Sequence, residues 1–344
     1  MDKKVIFAVA GSGKTTHIVS GLDLERRFLL VTYTDNNLSH LRRKIIEKFG
    51  FLPSNVVLLS YFTFLYSFCF KPFLLMKLRT SGINFDTPPV WTQRLPRTDD
   101  AFFLDFHRRL YHNRIANLLD TKDVMGDVTQ RIEKYVDVVC VDEVQDFGGY
   151  DFELLMTICS NKVNALLVGD FHQHTFDTSR DGRMNESLHD DYGKYKKRFE
   201  KAGLVVDTTS LSKSYRCSQT VCDFIRKHLG IEIHSHANEA TNAIFLDGQG
   251  DADRLHACEA TVKLFYKEHH KYDCYSENWG KSKGADHYQD VCVVLTDSAS
   301  KDFKNGVLRD AAPQTRNKLY VACSRARGNL YLMPGQLFKK FKLG

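Results

Sequence analysis

The chain has 344 residues, 43% hydrophobic and 26% charged, with a formal net charge of +6 and a pI near 8.7. That length admits two globular domains with their own cores, and the composition excludes a disordered chain. The basic excess is a mild lean toward polyanions, far from the charge of a nucleic-acid-binding tail.

Nine cysteines without a Cys-x-x-Cys pair point to free thiols in a reducing compartment, so the cytoplasm is the expected location. The opening MDKKVIFAVAG has the basic pair and apolar stretch of a secretory leader. The stretch is too short, however, and runs into Gly-Ser-Gly-Lys. No other run reaches membrane-spanning length, so no membrane partner is expected. The pairs His172 and His174, and His234 and His236, lack a third ligand and predict no metal site of their own.

In chain order, KVIFAVA, RFLLVTY, NVVLLSY, VDVVCVD and NALLVGD are β-rich and mostly unalternating. They read as strands buried on both faces of a parallel sheet with helices on either side. Between the third and fourth lies Leu65 to Tyr135, with helical runs such as FFLDFHRRLYHNRIANLL, read as a small helical insertion; its Arg108, Arg109, Arg114 and Lys122 could form a basic face, but ordinary solvated charge is the preferred reading. DDYGKYKKRFEKAG is a helix or linker at a junction near Ala202. A second set of strands begins at AGLVVDTTSL and continues with NAIFLDG, DVCVVLTD and GNLYLMPG, with a helix expected over ADRLHACEATVKLFYKEHH. SENWGKSKGADHYQD is the most loop-like segment. The expected organisation is residues 1–201 as a first α/β domain and 202–344 as a second.

Two segments carry chemistry. In AVAGSGKTT, between the first strand and the next helix, Gly11 and Gly13 let backbone N–H groups face a phosphate. Gly11, Ser12, Gly13, Lys14, Thr15 and Thr16 form this loop; Lys14 reaches the β- and γ-phosphates of ATP and the Thr15 hydroxyl ligates Mg²⁺. VVCVDEVQDF supplies the matching carboxylate: Asp142, at the end of a buried strand, holds Mg²⁺ through water. Glu143, one residue on, can orient and deprotonate an attacking water. A P-loop kinase aims its base at a substrate hydroxyl and needs no such adjacent pair, so the pair indicates hydrolysis.

VDEVQD resembles motif II of superfamily 1 helicases of the UvrD, Rep and PcrA type, and the rest of the chain carries similar motifs in order. AGSGKTT resembles motif I. VTYTDNN resembles motif Ia, with Tyr33 as its aromatic and Asn36 where lysine is usual. SYFTF is similar to the Thr-Phe-His-Ser-Phe motif, with Phe62 in place of histidine. VGDFHQHTF resembles motif III, which puts Gln173 near the γ-phosphate. LSKSYRCS resembles motif IV, so Tyr215 would stack on adenine and Arg216 would contact the γ-phosphate. KSKGAD resembles motif V, with Asp286 replacing a nucleotide-contacting glutamate. NKLYVACSRARGNLYL resembles motif VI, with Arg325 as its arginine finger.

The resemblance implies two tandem RecA-like P-loop domains with the ATP site in the cleft between them. It further implies an ATP-dependent helicase or translocase moving 3′ to 5′ on single-stranded DNA. Base stacking on Tyr33, Tyr61, Phe62, Phe64 and Phe176 tolerates any sequence, and neither it nor phosphate contact distinguishes sugars, so RNA stands beside DNA. The chain departs from the family's pattern in three places. There is no room upstream of the first strand for the glutamine that reads adenine. Asp177, Thr178, Ser179 and Arg180 stand where a further aromatic is usual. Cys217 to Lys281 is too short for the large second-domain insertion of the unwinding members. A strand-stimulated ATPase that serves a partner such as a nuclease, and unwinds weakly alone, is the second expectation. Oligomeric state is not legible.

Overall fold

The computed structural model describes residues 3–237 and 239–343; Met1, Asp2, Asn238 and Gly344, which include both ends of the expected domains, lie outside the described residues. The chain divides into two compact units. One comprises Thr15–Gly169 and Phe176–Asp207 with the segment up to Ile6; the other comprises Phe7–Lys14, Asp170–Thr175 and the chain from Thr208.

The first unit is built on a six-stranded sheet of β1 (Lys4–Phe7), β2 (Phe28–Thr32), β3 (Val56–Ser60), β6 (Val138–Asp142), β7 (Asn164–Gly169) and β8 (Val205–Asp207), in the order β3-β2-β6-β7-β1-β8. The pairs β2–β3, β2–β6, β6–β7 and β1–β8 run parallel. Every residue of β2 and β6 is buried, as unalternating apolar runs require. β3, at one edge, leaves Val57 45% exposed. β8 is a correction: the AGLVVDTTSL strand pairs with β1 at Lys4–Val205 and closes the first sheet, rather than opening a second. It returns through helix Tyr192–Lys201, which Asp191 caps by accepting from the Lys194 N–H at 2.8 Å.

The segment between β3 and β6 is only partly helical. Helix Tyr61–Thr63 runs into a π-helical turn, Phe64–Phe70, and then into helix Lys71–Leu78. Beyond it, β4 (Gly82–Asn84) pairs in parallel with β5 (Arg109–Tyr111), inside the run read as a helix. Asp105 is the local cause: its Oδ1 accepts from the N–H groups of His107 and Arg109, at 2.9 and 2.8 Å, and so turns the chain after helix Asp100–Phe103.

These four cations are engaged within the first unit and do not gather into a basic face. Arg109 pairs with Asp105 at 2.7 Å, Lys122 pairs with Asp100 at 3.0 Å, and Arg108 donates to the Leu78 carbonyl. Arg114 is fully buried, forked onto Asp181, bonded to Thr92 Oγ1 at 2.9 Å and seated 4.0 Å over the Phe102 ring. A solvated charge at position 114 would have nothing to gain from such a cage; a structural guanidinium does.

In the second unit, β11 (Ala243–Phe245), β12 (Thr261–Phe265), β13 (Ser276–Asn278), β14 (Asp290–Leu295) and β15 (Leu330–Pro334) form a parallel sheet in the order β11-β15-β14-β12-β13. β9 (Lys213–Ser218) and β10 (His234–Ala237) form a separate parallel pair. The helix expected over ADRLHACEATVKLFYKEHH ends at Ala257, and TVKLF is instead β12, fully buried between β13 and β14. Long-range pairing at a buried, β-branched site overrides helical composition there. Trp279, in the loop-like segment, is fully buried and donates to the Leu264 carbonyl at 2.8 Å. All nine cysteines are free thiols, and among the described residues no helix is long and apolar enough to cross a membrane.

One buried group makes the first unit sensitive to pH. Asp151, on helix Gly149–Ser160, is wholly buried beside Tyr61 and Thr178 without a well-formed hydrogen bond to its carboxyl among the described residues. Burial pushes the carboxyl up to about 7, and the neighbouring hydroxyls of Thr178 and Tyr61 only partly oppose this. Between the ordinary carboxylate value of about 4 and about 7, the unfolded chain releases a proton that the folded chain keeps. Stability from this group therefore falls as pH rises through that window and stays low above it. Asp151→Asn is expected to be more stable than the parent at pH 8 by about 1–3 kcal/mol, with most of that difference gone at pH 5. Urea midpoints at the two pH values measure it; an equal difference at both would refute the assignment.

Candidate nucleotide and nucleic-acid site

Where β6 ends, Asp142 is still buried, and the backbone turns sharply at the half-buried Glu143. Glu143 adopts a left-handed conformation, φ 57° and ψ 46°, uncommon for a residue with a Cβ, and its N–H donates to Asp142 Oδ1 at 3.0 Å. Gln145 Nε2 then donates to Glu143 Oε2 at 2.6 Å. Gln145 and Asp146 are buried, so the amide that holds the glutamate is itself fixed by packing. Asp146 contributes through its main chain, its carbonyl accepting from the Thr178 N–H at 2.9 Å. The Tyr195 hydroxyl donates to the Val144 carbonyl at 3.2 Å.

The stretch Asp177 to Arg180 is thus accounted for. In place of an exposed stacking platform it braces this loop: Thr178 Oγ1 accepts from the Gly148 N–H at 3.3 Å, and Asp177 pairs with Arg180 at 2.7 Å. Gly169, at the end of β7, passes so close that a Cβ there would lie 2.3 Å from Gln145 Oε1.

The second unit gathers a different set. The glycine loop lies against β9 and its approach: the Val9 N–H donates to the Leu211 carbonyl at 3.0 Å, and the Tyr215 N–H to the Gly11 carbonyl at 2.9 Å. Gly11 and Gly13 have φ of 71° and 84°, and a Cβ on Gly11 would lie 2.6 Å from Arg216 Cβ. The Ala10 N–H donates to the Tyr320 hydroxyl at 2.9 Å, and that hydroxyl donates to Asp170 Oδ2 at 2.9 Å. Gln173 Nε2 also donates to Asp170 Oδ2, at 3.0 Å.

Asp286 pairs with Arg216 and lies 3.6 Å from Arg325 Nη1. Arg325 is only 2% exposed; burial and the Arg216 charge lower it to about 10, against the opposing pull of Asp286, so it stays cationic at neutral pH. Tyr215 is 66% exposed, and its ring stacks on His236 at 4.2 Å and 12°.

The glycine loop and Arg216 of the second unit fit a bound polyphosphate. The glycines have the backbone of an anion-binding loop, and the buried Ser12 hydroxyl and Arg216 Nε have no hydrogen-bond partner among the described residues. A polyphosphate offers the acceptors that these groups lack. Thr15 and Asp142 are the hydroxyl and carboxylate suited to Mg²⁺.

The five aromatic residues expected near bases separate by burial. Tyr61 and Phe64 are 1% and 4% exposed and belong to the core of the first unit, because the helix that starts at Tyr61 turns both inward. Tyr33, Phe62 and Phe176 reach the surface and contact one another, with ring centroids 5.7 Å apart for Tyr33–Phe62 and 5.3 Å for Tyr33–Phe176. Tyr61 links them to the acidic loop, since its ring meets Phe147 edge-on at 4.8 Å and Phe62 at 5.6 Å.

Residues 120–334 match the family model of the viral superfamily 1 RNA helicase core domain. The matched span includes Asp142, Glu143, Gln173, Arg216 and Arg325, and leaves the glycine loop outside. No curated protein matches the chain. Among solved structures, the complex of Arterivirus nonstructural protein 10 (helicase) with DNA is similar at 14% identity and a TM-score of 0.52, over 98% of this chain and 62% of that one. A crystal structure of Arterivirus nonstructural protein 10 (helicase) gives 16% identity and a TM-score of 0.48 over 99% and 62%, and the PRRSV helicase 13% and 0.48 over 97% and 52%. The chain therefore spans less than two thirds of these helicases. The match supports a superfamily 1 helicase core and is broader than the UvrD, Rep and PcrA type.

The close approach of β7 to the acidic loop gives a direct test. Gly169→Ala should destabilise the chain by about 2–3 kcal/mol, because Gln145 and the Val144 backbone cannot both move aside. Gly126→Ala, in helix Met125–Tyr135 with open space around it, should instead stabilise by about 0.5–1 kcal/mol. Denaturant midpoints of the two variants should shift in opposite directions.

Proposed function

We propose that this chain, which belongs to the family of viral superfamily 1 RNA helicase core domains, is an ATP-driven motor that moves along a single strand of nucleic acid. The observation that carries the reading is the Glu143–Gln145 pair at the end of β6, within the matched span. An adjacent carboxylate held by a buried amide is an arrangement for aiming a base at water.

Each residue has a task in that reading. The Gly11 to Gly13 backbone and Lys14 bind the phosphates of ATP, and Tyr215 stacks on the base. Thr15 and Asp142 hold Mg²⁺, which supplies charge neutralisation on the phosphate oxygens. Glu143 takes the proton of the attacking water, and Gln145 fixes the direction in which its carboxylate points. Gln173 aligns the terminal phosphate. Arg216 and Arg325 stabilise charge that develops on it, for which Asp286 must give up its hold on one or both guanidinium groups.

Tyr33, Phe62 and Phe176 are the strand-contacting set. The family description favours RNA, while the Arterivirus helicase was crystallised with DNA. Single-stranded DNA and 3′ to 5′ movement are the UvrD-type expectation for this chain. Service to a nuclease partner is the reading that accounts for the short Cys217 to Lys281 span. ATPase assays with single-stranded DNA, duplex DNA and RNA, followed by unwinding of duplexes with 3′ or 5′ tails, separate these outcomes.

Two predictions test the chemistry. Lys14→Ala should abolish turnover, whereas Glu143→Gln should still bind ATP but hydrolyse it at least about a hundredfold more slowly. Parent-rate turnover by Glu143→Gln would remove Glu143 from the mechanism.

Arg216→Ala and Arg325→Ala should each lower turnover by on the order of a thousandfold, with a smaller effect on ATP affinity, and lysine should rescue poorly. Steady-state kinetics with ATP-binding measurements check this. Near-normal turnover in both alanine variants would show that neither arginine stabilises the transition state.

A further inference from the structure

The aromatic surface of the first unit does not stop at the residues that motif comparison picks out. Phe62 meets the ring of Phe85 edge-on, at 5.1 Å and 87°, and Phe85 in turn stacks against His112, at 5.5 Å and 25°. A continuous series of rings therefore runs from Phe176 through Tyr33 and Phe62 to Phe85 and His112. The last two come from the segment between β3 and β6. Tyr33, Phe62, Tyr66 and Phe85 line a cleft of about 530 Å³ together with Ile83 and the Asp35 carboxylate. That volume lies within the range of small-ligand sites and admits a nucleotide.

Phe85 is 60% exposed. Leaving that much of a benzyl group in water forgoes about 1–2 kcal/mol of burial, which a flat partner laid on the ring would recover. It is also rigidly presented. Asn84, the last residue of β4, is buried; its Nδ2 donates to Asp105 Oδ2 at 2.9 Å and its Oδ1 accepts from the Asp86 N–H at 2.9 Å. His112 Nδ1 lies 3.3 Å from the Asn84 carbonyl and donates to it in the neutral tautomer, which burial of the ring favours. Both flanks of Phe85 are fixed while its outer face stays open. A nucleobase has the flat π-face that an exposed, buttressed ring accepts.

We propose that Phe85 is a base-stacking residue whose exposed ring, at the edge of the cleft that Tyr33 and Phe62 also line, takes one nucleobase of the single strand, extending the strand path from helix Tyr61–Thr63 to the residue that follows β4. The proposal rests on the reading of the chain as a single-strand motor. The rings stand at 43–87° to one another and 5.1–5.7 Å apart along Phe176, Tyr33, Phe62 and Phe85, which leaves no slot for intercalation between them. The base lies on the open face of Phe85.

The test uses the full chain and oligonucleotides of about 12 residues, oligo(dT) and oligo(U), labelled for fluorescence anisotropy, with a second set carrying one 2-aminopurine. Phe85→Ala should weaken strand binding by about five- to a hundredfold and abolish the quenching of 2-aminopurine that the parent produces. Phe85→Trp should retain both, which separates loss of stacking from loss of fold. Phe106→Ala removes a ring that is 88% exposed elsewhere in the same segment, and should leave affinity and ATPase unchanged. A parent that binds strands and a Phe85→Ala variant within twofold of it would overturn this inference alone. A parent that binds neither oligonucleotide would overturn the motor reading and this inference with it.

Discussion

The hydrogen bond from Gln145 to the Glu143 carboxylate is the contact on which the acidic loop depends. A strand buried on both faces can present chemistry only at its end, and β6 ends with Asp142. The next residue must leave the sheet at once, and it does so through a left-handed turn that a β-carbon disfavours. Such a turn persists only where its surroundings enforce it. Here they do: Asp142 Oδ1 holds the Glu143 N–H, Gln145 holds the carboxylate, Thr178 and Tyr195 take main-chain positions, and Gly169 gives Gln145 the room it occupies.

The same loop is in contact with the aromatic surface. Phe147, one residue beyond Asp146, meets Tyr61, and Tyr61 meets Phe62. Packed side chains of this kind are the physical means by which a shift of the carboxylates can be felt at the aromatic surface. Asp151 sits beside Tyr61 in this connection, a buried carboxyl at a place where an amide would be cheaper in stability.

In the second unit, Asp286 plays a comparable organising role. One carboxylate pairs with Arg216 and lies near Arg325, keeping two like charges together beside the glycine loop. Without it, two guanidinium groups, one of them buried, would repel each other in a low dielectric. The two arginines thus share one counter-ion.

By itself the sequence determined the parallel sheets, because unalternating apolar runs can be satisfied only by burial on both faces. It also determined the glycine loop and the adjacent carboxylates as local patterns, since each lies within a few consecutive residues. Tertiary structure decided what local pattern could not. TVKLF is a strand because two others flank it, and the AGLVVDTTSL strand joins the first sheet because β1 has an open edge. Arg114 is caged and Tyr61 and Phe64 are core, while Phe85 is open to solvent, a distinction of burial that residue type does not carry. The pairing of Asp286 with Arg216 spans 70 residues. Such contacts depend on how distant segments meet, and no spacing along the chain records that.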